Sequence, residues 1–458
     1  MSKHLSGPGP TATGPRPQAQ GPRMSGDHSH RRCIRTLLGL GPLALSLTLA
    51  AVLPAYAQQP AAIPKIEFDE AVRRALENNP SIGQATTAIA TAEGQLAVAR
   101  SLTRPNVNTT ISSVTLDSSR GFDGGVTQPR SQVAFGGEVS VPVFAADRWA
   151  RVNQVRDQID VATISVTEVR RQVAIGVAQA YLAVIAAHRQ VEVDLRALES
   201  ARAHLDYAGK RLEGGVGSRL NHLRAAQVVA GGEALLEATQ LALRRAQEAL
   251  GLAVAADGPL DAGSDPVFET PTAAVAEAIE ARPDVQLQTA VRRAAERVVK
   301  DSWKDVWPQV SASFAPQYIT PSGLFQPARS WRFLVSFSQP IYQGGLQRAA
   351  TRIRQVAVDR ETFGLTAVQL RARSEVRMAD EAVRILERAA ASARQASEHA
   401  DDVLRITTSA FELGATTNIE VIDAQRSARD TATIAAFADD AIRRARLDLL
   451  VALGRFPR

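Results

Sequence analysis

Residues 131–173 read SQVAFGGEVSVPVFAADRWARVNQVRDQIDVATISVTEVRRQV, and the spacing of their apolar residues changes part-way along. Across 131–144 the period is two. Val133, Phe135, Val139, Val141 and Val143 point one way, and Ala134, Gly136, Glu138 and Ser140 the other. That pattern marks a strand with one apolar face. From Val152 the spacing alternates three and four through Val155, Ile159, Ala162, Val166, Val169 and Val173, an unbroken heptad seam. Small residues continue the seam at Gly176, Ala180, Ala183 and Ala187, where neighbouring backbones can approach closely. A helix from about Ala146 to Leu212 is ~100 Å long at about 1.5 Å per residue. A β-strand thus runs straight into a very long coiled-coil helix.

The same arrangement is written twice. Pro80 in ENNP matches Pro283 in EARP, Pro105 matches Pro308, and Gly251 in ALGL matches Gly454 in ALGR, all at an offset of 203. Between these anchors VPVF (141–144) matches QPIY (339–342), and EGGVGSRLNHLRA (213–225) matches ELGATTNIEVIDA (412–424). Five matches in one order imply duplication, with units at 58–258 and 259–458. Each unit is expected to begin with a helix broken at its Asn-Pro or Arg-Pro step. A second helix follows, to about Thr103 or Val306. Strands are expected at 105–116 and 131–144 in the first unit, and at 308–318 and 331–342 in the second. In the second pair Phe333, Val335, Phe337 and Ile341 oppose Arg332, Ser336 and Ser338. Two long helices close each unit, with tips near 214–219 and 413–418. Leu236, Leu243 and Leu250 space the first returning helix by sevens, and Ile442, Ala445, Leu449 and Ala452 mark the last one.

The ends of the chain bound its compartment. Arg31, Arg32 and Arg35, the apolar run 36–54 and Ala55-Tyr56-Ala57 form an export signal over residues 1–57, with Met24 as a possible start. A transmembrane anchor is the competing reading, weakened by Gly39, Gly41 and two prolines. The one cysteine, Cys33, lies inside the signal, ahead of its apolar run, so no thiol remains after cleavage and the position does not suit lipidation. The formal charge of +6 also sits largely there; without residues 1–57 the body carries about +1. Nothing electrostatic points to nucleic acid. No stretch of the mature chain approaches 18 apolar residues in a row, so if it spans a membrane it does so as a barrel. His188, His204, His222 and His399 are scattered and read as helix-surface residues. No metal, cofactor, nucleophile-elbow or Walker signature appears, and GGVG lacks the Lys-Ser/Thr and the preceding strand of a phosphate cradle.

A strand of twelve residues, at about 3.3 Å each, crosses a ~30 Å hydrocarbon layer even when tilted. The segments between paired strands, 116–129 and 320–330, are polar, Gly/Pro-rich loops of the kind found at an extracellular rim. A pair of soluble hairpins fits the alternation too. If the strands are in lipid, four per chain are too few, since closed membrane barrels start at about eight. Open edges in lipid have no partners for their backbone groups, so the chain would share a barrel with copies of itself. Trp303, Trp307 and Trp331 flank the second pair, either as an interfacial belt or as packing at the helix–barrel junction.

These residues resemble the TolC-like outer membrane efflux protein family over about 65–456. The likeness rests on ALENNP, the strand starts after Pro105 and Pro308, VPVF and QPIY, the tips GGVGS and LGATT, and the terminal LxxALG. It implies a mainly α fold with membrane β: a homotrimer with a twelve-stranded barrel and a periplasmic helical tunnel. It further implies an exit duct for efflux or type I secretion, passing small molecules or secreted protein, without enzymatic chemistry. Such a duct docks a periplasmic adaptor and an inner-membrane transporter of RND or ABC type. A soluble periplasmic coiled-coil scaffold is the alternative, and an enzyme on a helical platform a second. Glu420 and Asp423 match the family's acidic constriction; spacing of three puts both on one helical face. Spacing alone fits an acidic first turn equally. Where some members carry an acid at the first tip, this chain has Asn221, with Arg219 and Arg224 as candidates to pair with the neighbouring hairpin. Gly215 and Gly414 are expected to turn the tips, Ser218 and Thr417 to cap the returning helices, and the adaptor to grip them.

Overall fold

The computed structural model describes residues 63–269 and 279–456. The export signal expected at 1–57, and residues 274–278 of the helix expected to open the second unit, lie outside the described residues. The first helices are α1 (Phe68–Asn78) and α2 (Pro80–Ser101). Asn79 separates them: its side chain accepts the Ser81 N–H at 2.9 Å, and Pro80 opens α2 in the position where a missing N–H costs nothing. Pro105 then directly precedes β2 (Asn106–Thr115). The loop expected at 116–129 contains a small hairpin, β3 (Arg120–Phe122) and β4 (Gly125–Gln128). Its turn is Asp123-Gly124, both at positive φ, as a two-residue hairpin turn demands. Strand β5 (Ser131–Phe144) leads into α3 (Ala146–Glu213), and α4 (Arg219–Val254) returns.

The second half runs from β6 (Asp261–Ala262), which pairs in parallel with β1 (Lys65–Ile66). Helix α5 (Pro283–Asp301) ends in a 3₁₀ turn, Ser302–Val306. Strand β7 (Gln309–Thr320) starts directly after Pro308 and is followed by β8 (Arg329–Ser338). Helices α6 (Leu346–Glu412) and α7 (Asn418–Ala452) close the chain. Strand β8 stops at Ser338, short of the expected 342. Ser338 pairs with Gln309, the first residue of β7, so no partner remains beyond it. Pro340 lacks a ladder donor, and Gly344 and Gly345 turn at positive φ into α6. Ile341 therefore lies past the strand and is exposed. The matching VPVF stays in β5, where a register shift between Pro142 and Phe144 absorbs the proline.

Helix α3 is the central pillar, packed by α2, α4, α5 and α7. Its Val177, Tyr181 and Val184 are fully buried with Leu250 of α4 and Leu447 of α7. The Tyr181 hydroxyl donates to the Ser264 carbonyl at 2.9 Å and accepts the Gly263 N–H at 3.1 Å, which ties the β1–β6 pair to the pillar. Phe68 meets Tyr181 and Phe268 edge-on at 5.4 and 5.5 Å. Trp303 packs on Trp307, and Trp307 and Trp149 flank Phe144 at the helix–sheet junction. Trp331 instead stands on β8 against Phe314.

Candidate functional site: a two-faced sheet and two hairpin tips

The four long strands form one antiparallel sheet in the order β2-β5-β7-β8. Its centre joins the two halves of the chain, because β5 pairs with β7. Register decides the faces. Val107 and Ile111 of β2 lie opposite Val139 and Phe135 of β5. Phe135 and Val139 lie opposite Tyr318 and Phe314 of β7, and Phe314 opposite Phe333 of β8. One face thus carries an apolar band from edge to edge, with Arg329 at the start of β8 opposite Tyr318, and most of its side chains are exposed: Val107 by 70 % and Phe333 by 60 %. The other face carries Asn108, Thr110 and Ser112 on β2, Ser140 on β5, Ser311, Ser313 and Gln317 on β7, and Ser336 on β8. An exposed apolar face backed by a polar one suits lipid outside and water inside. Beyond the sheet the two long loops interlock: the Leu324 N–H donates to the Val126 carbonyl at 2.9 Å, and Phe122 stacks on Phe325. No described helix is long and apolar enough to cross a membrane.

At the far end lie the tips. In the α3–α4 turn Gly215 has φ +72°, and the Val216 and Gly217 N–H groups return to the Arg211 carbonyl at 3.0 and 2.8 Å. These bonds satisfy the last carbonyls of α3. Ser218 caps α4, its Oγ accepting the Leu220 N–H at 3.2 Å. The α6–α7 turn uses Gly414 at φ +77°, with the Ala415 N–H on the Ala410 carbonyl at 2.8 Å. Thr417 occupies the cap position of α7 but makes no side-chain cap bond, contrary to expectation. Its backbone is extended, and only its carbonyl enters the helix, accepting from Val421 at 3.4 Å.

Glu420 and Asp423 are exposed, while Asn418, Val421 and Ile422 are buried, so the acids occupy the outward face of α7. Among the described residues neither carboxylate has an ion-pair partner, and neither do Arg219 and Arg224. Arg224 shares a groove between α3, α4 and α7 with Ile419, Ile422, Arg426 and Arg429. Asn221 is half-buried on the first turn of α4. Pro80 and Pro283 each open a helix.

The hairpins are joined near the tips by residues that sequence reading missed. His204 of α3 is buried rather than on the helix surface, and its Nε2 lies 2.7 Å from Asn418 Oδ1. Phe411 packs against His204 and Tyr207, with the Arg211 guanidinium over its ring. The Tyr207 hydroxyl donates to the Glu412 carbonyl at 3.2 Å. Burial holds the His204 imidazole below its ordinary pKa, and the Asn418 bond offsets part of that shift. The available signal was positional: Ala201, His204 and Ala208 continue the three–four spacing of the α3 seam.

Among the described residues no cluster of three or more His, Cys, Asp or Glu is placed to hold a metal ion. The outer membrane efflux protein family model matches residues 71–256 and 274–455, most of the chain. Outer membrane protein OprJ of Pseudomonas aeruginosa is 26 % identical over 406 residues, spanning 85 % of this chain and 84 % of that protein. A membrane protein from Pseudomonas aeruginosa has the same fold at a TM-score of 0.74, with 24 % identity over 86 % of this chain and 91 % of that one. The outer membrane protein VceC from Vibrio cholerae matches at 0.71, with 17 % identity over 84 % of this chain and 96 % of that one. With its lipid-and-water sheet at one end and helical hairpins at the other, the chain belongs to the outer membrane efflux protein family, whose members are exit ducts of efflux systems seated in the outer membrane with a large periplasmic part.

Proposed function

We propose that three copies of this chain close a twelve-stranded barrel over a helical tunnel and conduct cargo passively, with no chemistry of their own. The observation that carries this is the pair of open edges, β2 and β8, on a sheet with opposed apolar and polar faces. Four alternating antiparallel strands leave those edges running in opposite directions. Each β8 therefore meets the next copy's β2 antiparallel, and the ring leaves no unpaired strand in lipid. On this reading the chain is two duplicated units, 58–258 and 259–458, behind a cleaved signal at 1–57.

The tunnel ends at the tips. A threefold axis gathers Glu420 and Asp423 into a ring of six carboxylates that narrows the periplasmic mouth and favours cations. That neither has an ion-pair partner among the described residues supports this role. Asn221, Arg219 and Arg224 flank the ring. A periplasmic adaptor grips the turns at Gly215, Ser218, Gly414 and Thr417, and an inner-membrane transporter of RND or ABC type supplies the energy. The cargo is small toxic molecules or secreted protein.

The test is mass and conductance of the purified mature protein in planar bilayers. A detergent-solubilised trimer is expected, with low conductance that rises ~10-fold or more in the Glu420→Ala, Asp423→Ala variant. A monomer that remains dispersed without detergent sinks the proposal. A trimer whose conductance is unchanged in the double variant removes the gate alone.

A further inference from the structure

The polar face of the sheet holds a charge pattern that neither tip explains. Among the described residues of the four strands, Glu138 and Arg332 are the only charged side chains on that face. Both are exposed, and neither has an ion-pair partner among the described residues. They are level in register. Glu138 pairs with Asn108 on one side. On its other side the ladder runs from Gly136–Gln317 to Val139–Phe314, which places Glu138 opposite Ala315. Ala315 in turn pairs with Arg332. One row across the sheet therefore reads Asn108, Glu138, Ala315, Arg332, with the small alanine leaving the space between the charges open. Two strand spacings put the charged residues roughly 10 Å apart along the wall.

We infer that Glu138 and Arg332 form a belt of alternating, balanced charge in the barrel lumen, and that this belt keeps the barrel neutral toward simple ions while favouring permeants that carry both signs. The inference rests on the closed barrel proposed above. In the order β2-β5-β7-β8, Glu138 stands on the second strand of each set and Arg332 on the fourth. Repeated around a ring, negative and positive charges then alternate on every second strand, evenly spaced. The belt sums to zero, so the barrel adds no preference for either sign of simple ion. Each charge still acts on solutes within ~8 Å of the wall, the screening length at physiological salt. A permeant carrying both signs finds a carboxylate and a guanidinium side by side. Zwitterions are thus the class this wall favours, while cation preference is left to the carboxylates at the tips.

Reversal potentials of the full trimer under a KCl gradient test the belt. Because the tip carboxylates act in series, the measurement uses the Glu420→Ala, Asp423→Ala background. Glu138→Gln leaves three unbalanced arginines and is expected to shift the permeability ratio toward chloride, by ~2-fold or more. Arg332→Gln leaves three unbalanced carboxylates and should shift it toward potassium by a similar factor. The Glu138→Gln, Arg332→Gln variant returns to the parent value, which separates charge balance from any change of pore shape. A conducting parent whose two single variants move together, or not at all, overturns the belt and leaves the duct standing. A parent that forms no channel overturns both.

Discussion

Helices α3 and α6 are nearly the same length, 68 and 67 residues, and each leads from the sheet to a hairpin tip, yet α3 buries seventeen side chains and α6 only six. The difference is one of neighbours. Helix α3 is surrounded by α2, α4, α5 and α7, whereas α6 packs along α5, α7 and the 3₁₀ turn and meets α3 at the tip through Phe411. Along its open side α6 leaves Ile353, Val356, Phe363 and Leu370 in a stripe, with Phe363 74 % exposed. Such a stripe on a folded chain marks a surface that is covered in the working assembly. Length and heptad spacing alone do not tell a pillar from a wall. In the proposed ring α3 holds the subunit together and α6 meets the sister copy.

That contrast can be broken from either side. Tyr181→Ala removes a fully buried ring and its bonds to Gly263 and Ser264, and should cost ~3–5 kcal/mol in denaturant unfolding. A loss below ~1 kcal/mol would deny α3 its central role. Phe363→Asp is expected to leave the helical circular dichroism of the subunit intact while abolishing the trimer in light scattering. A trimer of undiminished stability would show that α6 faces water.

The tips sharpen the comparison, since there α3 does touch the second hairpin. His204 is held neutral by burial, so its folded pKa lies below the unfolded value of about 6.5. The unfolded state takes up the proton first as pH falls. The stability this contact contributes is therefore present above that value and is lost progressively below it. Amide exchange around 411–422 is expected to accelerate from pH 7.5 to 5.5, after correction for intrinsic rates, and His204→Phe should flatten the change. Equal pH dependence in both proteins would rule the imidazole out. The smallest effect is in the caps: Ser218→Ala should cost ~1 kcal/mol, and Thr417→Ala less than ~0.5 kcal/mol, because only the serine side chain makes its bond. Equal costs would erase the asymmetry.

The architecture was legible because its signals are local. Period-two alternation around Phe135 and Phe333, the prolines at 105 and 308, and the α3 heptads all act within a few residues of themselves. The end of β8 was less legible, because it depends on where β7 runs out of partners at Gln309 rather than on the residues at 339–342. At the hairpin junction the seam position of His204 was legible, but its partner was not. His204 and Asn418 are 214 positions apart, and a histidine on a seam looks like any other seam position until the second hairpin is laid against it. The failed cap at Thr417 has a similar origin: residue type permits the bond, but the local rotamer and backbone decide it.

The junction of β5 with β7 has a consequence for descent. A lone half-chain with two strands would already expose one upward and one downward margin, and six of them could seal the cylinder proposed for three whole chains. On the proposed duplication, fusing two halves would leave the joint between copies as it was and halve the number of parts that must find one another. It would also free the halves to diverge, one long helix serving as an internal column and its counterpart as an outward flank.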